Sequence, residues 1–298
     1  MLNRQKCILY MLEQAGRPVA RLELTKWAFL LARETASGGG PAFYDFLPYH
    51  YGPYSFTLFH EAERLVRDGY LRPMTAGGRD AWESLNDSAS LMSALATVVR
   101  RDAAGVVRQF ANVPLDDLID YVYGRFPWYT ANSRIRQLRA RPAAPPGIYT
   151  IGYEGCSVDR LLDGLMRRGI RRIIDVRRNP VARRYGFHKA SLDRLCGNVG
   201  IAYVHVPEVG IPSDLRRNLD GPDARARLLA MYDAELLPRQ GGAIAEIARM
   251  AAELPSALMC MEADPAVCHR SRVAQAASSV TGLPVQHLRG KTCGPDSN

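Results

Sequence analysis

Three acidic residues each stand at the end of a short β-rich run: Glu154 just after residues 148–152, Asp175 within 172–176, and Glu262 just after 257–261. A fourth run, 202–206, leads into Pro207-Glu208. Arg177, Arg178 and Arg270 lie close to these acids in sequence. Carboxylates held near one another and near guanidinium groups acquire divergent proton affinities, which acid/base or electrostatic catalysis requires. An ion-pair network uses the same residue types, and both readings stay open here.

Two more clusters carry chemistry. The segment RRNPVARRYGFH, 177–188, joins four arginines to Tyr185, Phe187 and His188, with Lys189 next. Arg183, Arg184 and Lys189 there suit a phosphate backbone, and the aromatic residues suit stacked bases. Cys268-His269-Arg270 follows Asp264-Pro265 at an expected helix start. Adjacent side chains point apart on most backbones, so packing by Cys268, anchoring of the carboxylates by His269 and phosphate contact by Arg270 are expected over a Cys-His nucleophile pair. A Mg²⁺ site from Asp175, Glu262 and His269 is a further reading; the leading one needs no metal and no cofactor.

These residues must be positioned by a sheet. The four runs 148–152, 172–176, 202–206 and 257–261 alternate with amphipathic segments, the first being 157–168, which opens on a Ser cap and ends before Gly169. Strand, helix and strand within about 30 residues make a βαβ unit, so the expected fold is α/β, a Rossmann-like parallel sheet with its ligand beyond the C-terminal strand ends. The stretch RARPAAPPG, 139–147, reads as a linker. Before it the pattern is mostly helical, with Leu2, Ile8, Leu9, Met11 and Leu12 at near-helical spacing and a second run over 22–33. We expect a winged-helix-like domain over 1–88, a helical connector over 89–145 and the α/β domain over 146–298.

The winged-helix expectation comes from a helix over 59–66 ending at Arg67-Asp68-Gly69, then Tyr70-Leu71-Arg72-Pro73 and a turn at Gly77-Gly78. Ahead of it lies Tyr49-His50-Tyr51-Gly52-Pro53-Tyr54-Ser55. The YGPYS run followed by DGYL resembles the winged-helix-like domains of Panacea-type antitoxins over about 60 residues. Tyr51 and Tyr54 are either turn and core residues or a surface that stacks on nucleic acid.

Composition sets the outer limits. The 298 residues carry 39 Lys+Arg against 30 Asp+Glu, a net charge of +9, with 47% hydrophobic residues. That apolar fraction supports real cores and excludes disorder for most of the chain. Only Lys6, Lys26, Lys189 and Lys291 are lysines, so arginine carries the excess, and its planar fork suits phosphates and base edges. No apolar run approaches the roughly 18–20 residues of a membrane span, and a soluble, cytoplasmic protein is expected. Six scattered cysteines with no C-x-x-C pair read as reduced thiols, not as disulfides or a structural zinc site.

The runs YTIGYEGCSVDRLLDGL, GIRRIIDVRRNPVARRYGFHKASLDRLC, GIAYVHVPEVG and ALMCMEADPAVCHRSRVAQ, in order over 148–288, resemble the successive motifs of the family named domain of unknown function 488. The resemblance implies a Rossmann-like domain with motif residues at Gly152, Tyr153, Glu154, Asp175, Arg177, Pro180, Phe187, Gly210, Cys260, Glu262, Cys268, His269 and Arg270. Arg178 departs from it, since a small Ser often follows DVR in that family.

The expected activity is hydrolysis of an N-glycosidic bond in DNA, excising a base, with a modified base of phage DNA as a substrate suggested by the antitoxin resemblance. Catalysis is assigned to Asp175, Glu262 and Glu154. Substrate contact is assigned to Tyr153, Arg177, Arg178, Phe187, His188, His269 and Arg270, and grip on a duplex with a flipped base to Arg183, Arg184, Lys189, Tyr51 and Tyr54. The alternatives are a metal-dependent nuclease or phosphoester hydrolase using the same acids, and a DNA-binding regulator that senses a nucleotide without chemistry.

Overall fold

The computed structural model describes residues 1–85, 95–216 and 222–288, and the chain divides into two compact units, Met1–Ala140 and Arg141–Asn298. The division falls inside the Pro-rich 139–147 segment. Among the described residues, no helix is long and apolar enough to cross a membrane.

The first unit runs α1 (Asn3–Ala15), β1 (Val19–Ala20), α2 (Arg21–Glu34), β2 (Leu47–Tyr49), β3 (Gly52–Tyr54), α3 (Phe56–Arg67), β4 (Leu71–Ala76), β5 (Arg79–Ser84), α4 (Thr97–Phe110) and α5 (Leu115–Arg125). Ser55 starts α3 by accepting the Leu58 N–H on its hydroxyl at 3.2 Å. Strands β4 and β5 form a hairpin closed by Gly77 and Gly78, both left-handed at φ 56° and 73°, as a two-residue hairpin turn that follows the strand twist demands. Adding β1 gives an antiparallel sheet in the order β1-β5-β4. The expected connector does not stand apart: Val99, Ala103 and Phe110 of α4 and Leu118 and Val122 of α5 share one core with Leu9, Trp27, Phe29 and Trp82. Residues 86–94, which span the expected boundary between the 1–88 domain and the connector, lie outside the described residues.

Lys26 of α2 is fully buried and donates to the carbonyls of Tyr51 and Pro53. Burial pushes its amine down to about 7.

The second unit is α/β. Its elements are β6 (Ile148–Gly152), α6 (Val158–Arg167), β7 (Arg172–Asp175), α7 (Lys189–Asn198), β8 (Ala202–His205), α8 (Pro222–Met231), α9 (Gly241–Glu253), β9 (Ser256–Cys260), α10 (His269–Thr281) and β10 (Val285–Leu288). All strand pairs are parallel, in the order β10-β6-β9-β7-β8. Four strands and α6 fall where the sequence predicts them, and the Ser157 hydroxyl caps α6 by accepting the Arg160 N–H at 3.0 Å. Strand β10 was not predicted: as an edge strand with Gln286 and His287 exposed, it lacks a continuous apolar run.

Parallel crossovers are right-handed, which puts α6 and α7 on one face of the sheet and α9 and α10 on the other. In agreement, Ile244 and Ile247 of α9 and Val273, Ala274 and Ala277 of α10 pack with Ile148, Ile174 and Leu258 of the sheet. The chain therefore leaves β6 and its neighbour β9 toward opposite faces, opening a crevice between their C-terminal ends. Such a switch point is where open parallel sheets bind ligands. Gly152 ends β6 there because a Cβ would stand 1.8 Å from the Glu262 carbonyl oxygen.

Three outcomes follow for stability. Gly152→Ala costs about 1–3 kcal/mol in urea unfolding through forced overpacking, whereas Gly105→Ala, in open space inside α4, adds about 0.5–1 kcal/mol of helix stability. For Lys26, a folded value of about 7 lies below the unfolded one of about 10.4, so the unfolded chain binds the extra proton between them and stability rises with pH across that window. A Lys26→Met variant lacks this contribution, and its stability difference from the parent changes steadily as unfolding is repeated from pH 7 toward about pH 9.

Candidate functional site

Loops after β6, β7 and β9, with Ile211, Arg216, Arg225, Leu228 and Leu229, surround a cavity of about 460 Å³. Its lining includes Tyr153, Glu154, Arg177, Arg178, Cys260, Glu262, Cys268 and His269, together with Arg216 and Arg225. Gly152 pairs with Cys260 in register, so Glu154 and Glu262 leave neighbouring strands at the same level. The Glu154 N–H donates to the Met261 carbonyl at 2.8 Å, and the Glu154 carboxylate accepts the Ala263 N–H at 3.0 Å. The two acidic loops thus brace each other.

Asp175 has a different place. It is fully buried, and its carboxylate accepts from Arg177 N (3.1 Å), Arg177 Nε (2.8 Å), Arg177 Nη2 (2.6 Å) and the Tyr203 hydroxyl (2.7 Å). Two donors on each oxygen fill the four acceptor sites of a carboxylate. Arg177 is equally committed: Nη1 also donates to the Tyr153 hydroxyl at 3.1 Å, and both terminal nitrogens donate to the Phe187 carbonyl at 3.0 Å. Burial opposes the guanidinium charge, but the Asp175 bonds outweigh it and raise its pKa. With every polar site filled, Asp175 has no lone pair for a water molecule and Arg177 has no free N–H for substrate. The sequence placed both in the reacting set; the structure makes them the brace behind it.

Phe187 and Arg270 also change role. Phe187 is fully buried and stacks on Tyr153 at 4.2 Å with a 14° interplanar angle, so it supports a residue of the cavity wall and is not itself part of the lining. Arg270 is fully buried and donates to the carbonyls of Glu262 and Ala263, which fixes the loop after β9. His188 is exposed at the N-terminal boundary of α7 and does not line the cavity. Arg183, Arg184 and Lys189 are exposed on the same segment, where Lys189 meets the His205 ring at 3.2 Å.

What remains at the cavity floor is Glu262 with two thiols and an imidazole. Its Oε2 accepts from Cys260 Sγ at 3.2 Å and Cys268 Sγ at 3.0 Å. Burial works against its charge, but the hydrogen bonds from Cys268, its own backbone and Cys260, with His269 nearby, prevail and hold the carboxyl below its usual range. Glu262 is therefore ionised at neutral pH. Sequence reasoning had Cys268 and His269 diverging. They converge because Cys268 is extended (φ −131°, ψ 136°) as the N-cap residue and His269 begins the helix. The proposed Mg²⁺ set of Asp175, Glu262 and His269 is not assembled, since Asp175 faces Arg177 and Tyr203. Arg216 and Arg225 were missed in the sequence because they sit far from every strand end.

In the first unit, Tyr51 is 48% exposed and Tyr54 stacks on Phe59 at 4.4 Å. Both line a groove of about 710 Å³ that also includes Arg21 and Arg79.

The Asp175 geometry predicts a folding phenotype. Asp175→Asn leaves Arg177 buried beside a neutral partner and destabilises the second unit by about 3–5 kcal/mol, read by urea or thermal unfolding; native stability in that variant contradicts the brace.

No curated protein and no solved structure matches the chain. Residues 157–277, the stretch that carries the α6 to α10 side of this site, match the family described as Domain of unknown function DUF488.

Proposed function

We propose that the chain is a hydrolase that cleaves an N-glycosidic bond in DNA and so excises a base, with Glu262 as its central carboxylate. The observation that carries this reading is an ionised acid at the floor of a cavity whose rim is arginine. Base excision proceeds through an oxocarbenium-like sugar, which a fixed negative charge stabilises and which needs a positioned water. Glu262 supplies the charge, and Glu154, oriented by the Ala263 N–H, is the second acid in reach of the same cavity. A volume of about 460 Å³ lies in the range of small-ligand pockets, about 300–1,000 Å³, and admits a flipped nucleobase.

Phosphate contact falls to exposed cations. Arg178, Arg216 and Arg225 stand on the rim, and Arg183, Arg184 and Lys189 extend the basic surface along the loop before α7. Tyr153, packed against Phe187 and the Arg177 guanidinium, gives the cavity an aromatic wall.

The first unit supports a DNA-gripping role of winged-helix type. In support of that reading, α1, β1, α2, α3 and a β4-β5 hairpin follow one another with sheet order β1-β5-β4, and the β2-β3 hairpin precedes α3. Tyr51 and Tyr54 beside Arg21 and Arg79 then offer stacking and phosphate contact. The likeness of this segment to antitoxin domains makes a modified base of phage DNA the substrate to try first.

The test incubates the purified chain with unmodified and phage-modified duplex DNA and separates free base from cut strands. Release of free base with abasic sites supports the reading, and Glu262→Gln lowers that release by at least about 100-fold, the usual scale for a positioned acid/base group, while duplex binding persists. Direct strand breaks without free base transfer the site to phosphoester hydrolysis, and intact DNA with tight binding transfers the chain to regulation.

A further inference from the structure

We infer that Cys260, Cys268 and His269 form a binding site for one divalent transition-metal ion, of which Zn²⁺ is the natural occupant. The ligand atoms Cys260 Sγ, Cys268 Sγ and His269 Nδ1 all lie within 4.8 Å of one another, and all three residues are buried. In a tetrahedral zinc site with Zn–S near 2.3 Å and Zn–N near 2.0 Å, such atoms stand about 3.5–3.8 Å apart. Cys260 Sγ and His269 Nδ1 are at 3.9 Å, so closing on an ion needs only small side-chain rotations.

The imidazole is already set for this task. His269 Nε2 lies 2.9 Å from the Val176 carbonyl oxygen. A carbonyl only accepts, so Nε2 carries the proton and Nδ1 turns its lone pair toward the thiols. A ring N–H fixed on a backbone carbonyl is the usual outer support of a metal-bound histidine.

The fourth position is the cavity side. Glu262 Oε2 touches both sulfurs, at 3.2 Å and 3.0 Å, and is placed either to complete the tetrahedron or to hold a metal-bound water. Soft sulfur ligands with one imidazole select Zn²⁺ over Mg²⁺ or Ca²⁺, which favour oxygen. The elements explain the convergence. Cys260 ends β9, and Glu262 lies two residues on. Cys268 and His269 open α10 across the crevice. Uptake replaces two S–H bonds by two metal–sulfur bonds and releases two protons to solvent.

This inference stands apart from the proposed reaction, because its readout is metal and not turnover. The full chain is reduced, stripped with chelator, titrated with Co²⁺ as a spectroscopic probe, and in parallel loaded with Zn²⁺ and subjected to elemental analysis. The expected result is one tightly held ion per chain and thiolate-to-cobalt charge-transfer absorption. The absorption is lost in Cys260→Ser and Cys268→Ser and kept in Cys196→Ser, whose thiol is buried in α7. Because the serine variants can fail to fold, the unmutated protein is also alkylated with and without Zn²⁺ and its thiols mapped by mass spectrometry. Protection of Cys260 and Cys268 supports the site. Less than stoichiometric metal, or equal labelling of both cysteines with and without Zn²⁺, overturns it.

Discussion

The second unit is organised around the bidentate bond between Asp175 and Arg177. A buried ion pair is a poor source of net stability, because removing both charges from water costs about as much as their attraction returns. Its value here is geometric. Arg177 uses its remaining donors on the Tyr153 hydroxyl and the Phe187 carbonyl, so one side chain ties the end of β7 to the loop after β6 and to the far end of the basic loop. Tyr203 closes the same network from β8. With its charges neutralised internally, the network leaves the electrostatics of the cavity to Glu262 and the rim arginines.

The opposite wall is held by hydrogen bonds from a guanidinium to backbone carbonyls, not by an ion pair. Arg270 grips two carbonyls of the loop after β9, and Gly152 lets that loop pass where any side chain would collide. Glu262 is consequently fixed between two thiols and beside an imidazole at a position that topology alone already favours for ligands. Stiff backbone support on both sides and one ionised group between them is the arrangement that electrostatic preorganisation requires.

Much of this frame was legible in the sequence. The apolar runs of β6, β7 and β9 and the capped amphipathic α6 announce a βαβ sheet, and the rule that ligands sit beyond strand ends led to Glu154 and Glu262 directly. The roles within the site were harder. Asp175 and Arg177 are two residues apart at a strand end and so share a face, but the abundance of nearby arginines obscured which one Asp175 would hold. Whether an arginine near a strand end is exposed, as Arg178 is, or fully buried on backbone carbonyls, as Arg270 is, depends on tertiary packing that no local pattern encodes. Cys268 and His269 were misplaced because their convergence needs the backbone to change from extended to helical between them. β10 escaped notice as an edge strand, and α4 and α5 read as a connector because their apolar faces reveal a core without revealing whose core it is.

The central claim is that a base enters the crevice between β6 and β9 and meets Glu262 there. The most direct measurement is a crystal structure of the Glu262→Gln variant bound to duplex DNA containing the base that the parent protein releases. The account predicts an extruded base inside the cavity, next to residue 262, with the flanking phosphates on Arg178, Arg216 and Arg225. A duplex with all bases stacked, or a base lodged away from residue 262, contradicts it.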